Sequence, residues 1–486
     1  MKPQSQLRII LTLAFALPLA SAAQSAQTQA AKPTPAEKPT VTALAITDFL
    51  SQVKEQNGAY KAADLNRSAA ESYGDEASLQ LSPTFFASAQ LNSDAKPSPF
   101  FRYDHIENSS YNVGLSQQFS FGLQAKFSYQ FSDTNYVGIA PRYYEARPQL
   151  EATLPLWRNA FGRETRSSID AALLASKAKA EGYDASAKAA LLEAEAAYWR
   201  LALAREALKV SRDALSRAQA IFDWTERRVK LSLADRTEGL QSTAQLKARR
   251  LDVKQAEDDE RSASLAFNAA RGLTSDKVQE ILTSINADLV AKWETPKRSQ
   301  SRPDVEAVKL QLAAAEASAT AAADRSKPSL ELFGLYAFNS PQKATSSDAI
   351  GESWQNDKPS STIGIRLQIP LDRTTTDRAQ TGWLKEAQAN RLLSERKLLE
   401  EERDWNDLTA RFSLAKEKVR LYEDLEKAQQ EKLEHERARQ KAGRTTMAQV
   451  IQFENDFEQT QFARIRSLAE LLNLNAQMKL YGVAYE

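Results

Sequence analysis

Twice along the chain, a segment with alternating apolar residues is followed by a long segment with helical spacing of apolar residues. Segments around residues 83–156 and 329–371 carry apolar side chains at alternate positions, and each leads into a long segment without proline. A period of two is typical of β-strands, whereas apolar residues three and four positions apart are typical of helices. The pattern therefore predicts two blocks of strands, each followed by long helices.

The clearest alternation lies between residues 115 and 132. One parity consists mostly of serine and glutamine, and the other is mainly apolar: Leu115, Gln117, Phe119, Phe121, Leu123, Ala125, Phe127, Tyr129 and Phe131. An apolar face opposite a polar face is expected of a strand that separates lipid from water. A half-buried sheet of a soluble protein has the same period, so the alternation alone leaves both interpretations open.

The lengths of the intervening loops favour the membrane interpretation. We predict strands at 83–92, 111–119, 123–132, 146–156, 330–338 and 361–371. Long loops (93–109 and 133–145) then lie on one side and a tight turn (120–122) on the other, as in outer-membrane barrels. Six strands are too few to enclose a channel, since the smallest barrels need about eight. Three chains would supply eighteen strands, so we predict a homotrimer.

The proline-free segments predict unusually long helices. Segments 163–230 and 378–442 would each reach roughly 100 Å at the rise of an α-helix. A four-three spacing of apolar residues in both predicts packing along a partner helix: Ala197, Leu201, Ala204, Leu208, Ser211 and Leu215 in the first, and Trp405, Leu408, Phe412, Ala415, Val419 and Tyr422 in the second. Return helices at 237–270 and 446–480 favour two closed hairpins over a single stalk.

The two blocks align with each other, which predicts an internal repeat. The strand ends that precede the long helices align at an offset of 215, and the hairpin turns at an offset of 211. We therefore predict a first repeat at 42–271, which begins with a helix at 41–73, an inter-repeat segment at 272–303, and a second repeat at 304–486. The change of offset predicts that the two long helices differ by about one turn.

Particular residues mark the ends of the predicted elements. The strand-to-helix junctions are Pro155, Gly162, Arg163, Pro370, Asp377 and Arg378. At the hairpin turns, Gly443 is free to adopt a positive φ, whereas Ser232 must reach the same bend with less freedom. A plain helix break at either position is the alternative interpretation.

The first residues have the pattern of an export signal. Lys2 and Arg8 precede the apolar stretch 9–19 and the small residues 20–22, which predicts a cleavable signal peptide at 1–23. An uncleaved anchor is disfavoured, because the apolar stretch is about half the ~20 residues that a spanning helix needs. Residues 24–41 are predicted to form a flexible leader. Nothing later in the chain has the length of a spanning helix, so any membrane span is expected to consist of strands.

Composition narrows the possible functions. The formal net charge is +1, and acidic and basic residues are interspersed, so nucleic-acid binding is not expected. There are no cysteines and only two histidines, and neither a phosphate-binding glycine loop nor a nucleophile elbow occurs. We predict no catalytic, cofactor or metal site, although Asp and Glu are too plentiful to exclude a carboxylate pair.

Several motifs resemble the TolC-type outer membrane efflux protein family. The strand endings are Thr153-Leu-Pro-Leu before Phe161-Gly-Arg, and Gln368-Ile-Pro-Leu before Asp377-Arg; the turn Lys441-Ala-Gly-Arg-Thr-Thr and the hairpin 114–122 are also similar. The resemblance implies an α+β membrane protein, in which a trimeric outer-membrane β-barrel continues into a long periplasmic α-helical coiled-coil barrel. It also implies a passive exit duct for efflux or type I secretion that receives substrates from a periplasmic adapter and an inner-membrane pump.

The resemblance also implies functional positions at the hairpin turns. The adapter-facing turns would be Leu231, Ser232, Leu233 and Ala234, and Ala442, Gly443 and Arg444. The periplasmic gate would include Gln449, Gln452, Glu238 and Thr445. Related proteins often have acidic residues at the two glutamine positions and an arginine at the position of Thr445, so the charge of this gate differs. The strand pair around Gly122 exceeds the usual four strands and either enlarges the barrel or forms an appendage.

Two other classes of function were considered. A non-conducting periplasmic coiled coil, structural or adapter-like, would also need long helices, but an adapter usually has one hairpin flanked by small β domains. Two hairpins that each follow a strand block favour the duct. A secreted hydrolase is disfavoured because the sequence has no Ser/His/Asp or metal-binding constellation.

Overall fold

The computed structural model of the 486-residue chain describes residues 43–95, 105–138, 141–283, 290, 293–294, 296–340, 343–355 and 357–482. The described residues all belong to one compact unit, Ala43–Glu486. The predicted signal peptide and the predicted leader lie outside the described residues.

Six strands form one antiparallel sheet in chain order: β1 (Thr84–Asp94), β2 (His105–Gln118), β3 (Gln124–Val137), β4 (Tyr143–Pro155), β5 (Ser329–Ala337) and β6 (Ser360–Gln368). The β2–β3 pair, whose place the sequence left open, lies within this sheet. Among the described strands, β1 and β6 form the two edges. Both strand blocks thus contribute to a single surface.

The strands of the first block are longer than the sequence predicted. The long loops at 93–109 and 133–145 are wrong in extent, because β2 already begins at His105 and β3 continues to Val137. Some of the polar side chains there pair with residues of a neighbouring segment: Asn135 donates to Glu107 at 3.0 Å, and Arg142 lies 3.4 Å from Asp133. Polar composition therefore does not end these strands. At the other end of the sheet, β6 stops at Gln368, just before the proline at 370, which has no amide hydrogen for the ladder.

The described helices are α1 (Ile46–Gln56), α2 (Gly58–Glu76), α3 (Arg163–Lys230), α4 (Arg236–Ala270), α5 (Pro303–Arg325), α6 (Ser346–Gly351), α7 (Arg373–Lys441) and α8 (Met447–Met478). The single helix predicted at 41–73 is interrupted at Asn57. The Asn57 side chain accepts from the amide of Tyr60 and donates to the carbonyl of Ala270, both at 2.9 Å. This contact with the end of α4 stabilises the break. A 3₁₀ turn, Lys479–Tyr481, follows α8.

The second long helix begins earlier than predicted. Helix α7 starts at Arg373 because Asp372 caps it, accepting from the amide of Thr375 at 3.0 Å. Asp377 and Arg378 consequently lie inside α7 and do not mark the junction. Helices α3 and α7 have 68 and 69 residues, so the predicted difference of one turn is wrong.

The corresponding residues before α3 cannot join the helix. Asn159, Phe161 and Gly162 have φ values of 56°, 54° and 72°, in the left-handed region. The helix therefore begins at Arg163, as the sequence predicted. The two junctions differ in backbone conformation although their sequences align.

The helices pack side by side around α3. Near the strands, α3 contacts α2 and α5, and α5 contacts α7; farther away, α3 contacts α4 and α8, and α8 contacts α7. The predicted apolar seam of α7 is confirmed, since Leu408, Phe412, Ala415 and Val419 are buried in one cluster with residues of α8. A second cluster joins α1 to the hairpin of α3 and α4.

The turn between β2 and β3 packs directly against the junction that precedes α3. A Cβ added at Gly162 would lie 1.9 Å from the carbonyl oxygen of Ser120, far inside any real contact. This close backbone approach, together with the positive φ, explains why glycine occupies the position.

Gly162→Ala should therefore lower the apparent unfolding temperature measured by circular dichroism. The matched control is Gly182→Ala within α3, where an added Cβ meets nothing within 4 Å. That change should be neutral or stabilising by up to about 1 kcal/mol, the difference in helix propensity. Equal effects of the two substitutions would contradict the close packing at Gly162.

Candidate functional site

The register of the sheet brings large apolar residues from every strand to one face. Leu115 lies opposite both Phe85 and Phe127, and Phe127 lies opposite Leu150, which in turn lies opposite Tyr336. We call this surface the apolar sheet face; its exposed members are Phe85, Leu91, Tyr111, Val113, Leu115, Phe127, Leu150, Tyr336, Ile363, Ile365 and Leu367. Ile363 and Ile365 of β6 are 80% and 69% exposed. An exposed apolar surface of this extent is typical of a site that contacts lipid or another protein.

The opposite face of the sheet is polar. Lys126 and Glu151 lie opposite each other at 3.7 Å, and Arg366 lies 3.6 Å from Glu331 on the neighbouring strand. The side chain of Gln149 donates to the hydroxyl of Ser128 at 2.9 Å. The sheet therefore has one apolar face and one mainly polar face.

The hairpin turns lie at the far ends of the long helices. In the first turn, the amides of Ser232 and Leu233 donate to the carbonyls of Val229 and Arg228, at 3.0 and 2.8 Å. In the second turn, Gly443 and Arg444 make the corresponding bonds to Gln440 and Arg439, both at 2.9 Å. Both helices thus end in the same Schellman arrangement.

The first turn exposes two leucines in addition to its backbone. Leu231 and Leu233 are 69% and 64% exposed, and Ala234 is half-buried. In the second turn, Ala442, Gly443 and Arg444 are exposed. The structure thus places all seven predicted docking residues in the two turns, where a partner can reach them.

Ser232 adopts the same left-handed conformation in the first turn as Gly443 does in the second. Its φ is 57°, and that of Gly443 is 69°. For a residue with a Cβ this conformation costs roughly 1 kcal/mol or more. The first turn therefore carries backbone strain that the second turn lacks.

Ser232→Gly should stabilise the first turn by up to about 1 kcal/mol, because the strain is removed. The gain is measured as slower hydrogen exchange of the turn amides, by a factor of up to about five. Gly443→Ser is the reciprocal variant, and it should speed exchange in the second turn. Faster exchange in the Ser232→Gly variant would argue against strain at this position.

The predicted gate residues are only partly joined to one another. Thr445 donates its hydroxyl to the side-chain oxygen of Gln449 at 3.2 Å, and Gln452 donates to Asp456 at 2.8 Å. Gln449 and Gln452 are exposed. Glu238 lies in the first turn of α4, and within the described residues no ion pair or hydrogen bond joins its side chain to Thr445. The structure joins Thr445 to Gln449, places Gln452 one turn farther along α8, and leaves Glu238 separate.

Neither a membrane-spanning helix nor a metal-binding group is found in the described part of the chain. No helix there combines the length and the apolar character needed to cross a membrane. No cluster of three or more metal-ligating side chains occurs among the same residues.

Solved structures with the same arrangement are outer-membrane proteins. The outer-membrane channel OprN matches with a TM-score of 0.63 at 16% identity, over 90% of this chain and 89% of that chain. VceC of Vibrio cholerae matches with 0.63 at 14%, over 91% and 97%, and the MtrE channel of Neisseria gonorrhoeae with 0.61 at 18%, over 90% and 89%. This chain has the outer-membrane channel fold.

The likeness to the outer-membrane channel fold extends over nearly the whole chain, while the sequences have diverged widely. No protein-family model and no curated protein matches the sequence. The combination of long helices and an antiparallel sheet that the TolC-type motifs implied is confirmed.

Two buried glutamates link the hairpins of this outer-membrane channel fold. Glu454 of α8 accepts from Arg217 of α3 at 2.9 Å and also pairs with Arg437 of α7. Glu458, one turn farther along α8, pairs with Arg249 of α4. Burial raises the pKa of the Glu458 carboxyl, and the positive charge of Arg249 opposes that shift. All four long helices therefore meet through ion pairs.

Sequence reasoning missed this cluster because charged residues on long helices usually face water. A signal was present: Glu454 and Glu458 occupy the same side of α8 as the buried Val450, Ile451 and Phe457. An acidic residue within an apolar seam predicts a buried partner of opposite charge.

Proposed function

We propose that the chain is the outer-membrane exit duct of a tripartite efflux or type I secretion system. It conducts substrates passively from a periplasmic adapter and an inner-membrane pump to the exterior. The protein is not an enzyme and needs no cofactor, because the energy for transport comes from the pump. After export by a cleavable signal peptide, it lies in the outer membrane and extends into the periplasm.

The exposed apolar sheet face is the observation that carries this proposal. In a sheet with one apolar and one polar face, the apolar side suits the hydrocarbon of a bilayer and the polar side a water-filled lumen. The edge strands β1 and β6 each have one strand neighbour among the described strands. Unpaired backbone groups are not tolerated in hydrocarbon, so the sheet must close on other copies. Three copies of six strands give a barrel wide enough for an aqueous channel.

The outermost helices of the single chain support the same trimer. Leu240 and Leu251 of α4 are 63% and 70% exposed. On α7, at the other side of the layer, Leu399 and Leu421 are 69% and 60% exposed. Packing α7 of one copy against α4 of the next would bury these leucines and close a helical tunnel below the barrel.

The hairpin turns are proposed to contact the adapter, and α8 to line the gate. Leu231 and Leu233 offer apolar anchors, and Arg444 offers a charged one, at the end remote from the sheet. Gln449 and Gln452 would form a neutral ring at the tunnel entrance. Such a ring narrows the tunnel without attracting cations.

Ile365→Lys tests the membrane barrel, with Thr362→Lys as the matched control on the opposite face of β6. A lysine on the lipid face costs about 2–4 kcal/mol at the bilayer midplane, whereas one facing the lumen is tolerated. We expect the first variant to be depleted from outer membranes and the second to assemble normally.

Electron microscopy of the detergent-extracted wild type should give a three-fold tube. Soluble rods without a detergent belt would favour a non-conducting coiled coil.

Because the proposed gate is neutral, acidic substitutions there should give the channel a new sensitivity to divalent cations. Gln449→Asp combined with Gln452→Asp should make the conductance in planar bilayers sensitive to divalent cations on the periplasmic side, because carboxylate rings bind them. The control, Gln459→Asp with Asn473→Asp, adds the same charge to exposed positions of α8 farther from the turn. Equal block of the two variants would remove Gln449 and Gln452 from the constriction.

A further inference from the structure

The apolar sheet face continues beyond the ends of the strands that lie next to the long helices. The residues that extend it are Phe119, Phe121, Leu156, Phe161, Ile369 and Leu371, at the β2–β3 turn and the two strand-to-helix junctions. Leu371 is 94% exposed, and Phe161 is 80% exposed. The rings of Phe119 and Phe121 stack at a centroid distance of 5.5 Å. We call these six residues the junction row.

The surrounding hydrogen bonds fix the backbone that places Phe161 in its exposed position. Its φ of 54° is a conformation that bulky residues rarely adopt. On one side, the amide of Asn159 donates to the buried carboxylate of Asp324 at 2.7 Å. Asn159 also accepts from the amide of Thr165 at 3.0 Å, and the carbonyl of Phe161 accepts from Arg166 at 3.1 Å. The junction thus maintains a strained conformation that directs an aromatic ring away from the protein.

Four exposed arginines follow the junction row closely in the chain. They are Arg163 and Arg166 in the first turn of α3, and Arg373 and Arg378 in the first two turns of α7. Within the part of the chain that the structure describes, none of the four forms a salt bridge with an acidic side chain. Cations near a helix N-terminus are unfavourable, because the positive end of the helix dipole lies there. An external anion would compensate them.

We propose that the junction row and these four arginines bind the anionic phospholipid leaflet that faces the helices. The apolar side chains enter the acyl region, and the guanidinium groups bind lipid phosphates at its boundary. This inference rests on the proposed membrane barrel and adds a site that fixes its depth and its preference for lipid charge.

The distribution of these residues favours lipid over a second copy of the chain. The row includes the turn between β2 and β3, the end of β4 and the end of β6, so it crosses the interior of the sheet and one edge. A neighbouring copy that pairs with the sheet edges would cover only the residues of the row that follow β6, Ile369 and Leu371. A leaflet surrounds the whole sheet, and its apolar-to-phosphate boundary matches the order of phenylalanine and arginine along the chain.

Spin labels test the depth of the row, since the chain has no cysteine of its own. The full mature protein carries Leu371→Cys or Ile365→Cys and is placed in bilayers of phosphatidylethanolamine and phosphatidylglycerol. We expect both labels to be accessible to oxygen and protected from a water-soluble nickel chelate, with the label at 371 nearer the surface. A lipid-exposed label at 365 with a water-exposed label at 371 overturns the proposed lipid site but leaves the proposed barrel intact. Two water-exposed labels overturn the proposed barrel as well, and a label at 371 shielded from both reagents indicates a neighbouring copy instead.

The arginines are tested by lipid preference. Arg163→Gln with Arg378→Gln should reduce the retention of phosphatidylglycerol over phosphatidylethanolamine by roughly fivefold or more, as measured by native mass spectrometry. The control, Arg236→Gln with Arg420→Gln, removes two equally exposed arginines far from the junctions and should leave the preference unchanged. An equal loss in both variants, or none in either, would refute a specific anionic-lipid site.

Discussion

The separation of apolar from polar side chains across one continuous sheet is the constraint on which the rest of the structure depends. Leu115, Phe127 and Leu150 share one face, while Lys126 and Glu151 pair on the other. Interior strands satisfy their backbone groups with two neighbours, but the described edges at β1 and β6 do not. The described chain therefore has an exposed apolar surface and two strand edges with one neighbour each, and the proposed membrane trimer would cover both.

The helices meet a different requirement, because α3 and α7 have 68 and 69 residues and each needs packing partners along that length. Helix α7 packs on α8 through an apolar seam, and ion pairs through Glu454 and Glu458 join α8 to α3, α4 and α7. A buried ion pair adds little net stability, but its partners tolerate few alternative arrangements. These contacts therefore define the relative position of the two hairpins near their turns.

The junctions transmit the geometry of the sheet to the helices. Before α3, three left-handed residues and the close approach of Gly162 to Ser120 turn the chain sharply. Before α7, a capped helix starts within a few residues of β6. The two junctions reach similar long helices by different backbone routes, which sequence alignment alone did not reveal. The proposed lipid site lies at these same residues. In that proposal, the residues that turn the chain into the helices also lie at the membrane boundary.

The sequence by itself determined the local features of this protein. The period-two pattern predicted all six strands and their apolar face, and the lack of proline with helical spacing predicted α3 and its start at Arg163. Local periodicity is sufficient there because each residue's environment repeats along its own element. The bend at Gly443 followed equally from the conformational freedom of glycine. Tertiary structure decided what depends on distant partners: the break at Asn57, which bonds to Ala270, the extension of β3 beside β2, and the burial of Glu454 and Glu458 against arginines of other helices. These outcomes depend on which elements become neighbours in space; the apolar seam of α8 indicates that its glutamates are buried, but no local pattern identifies their partners.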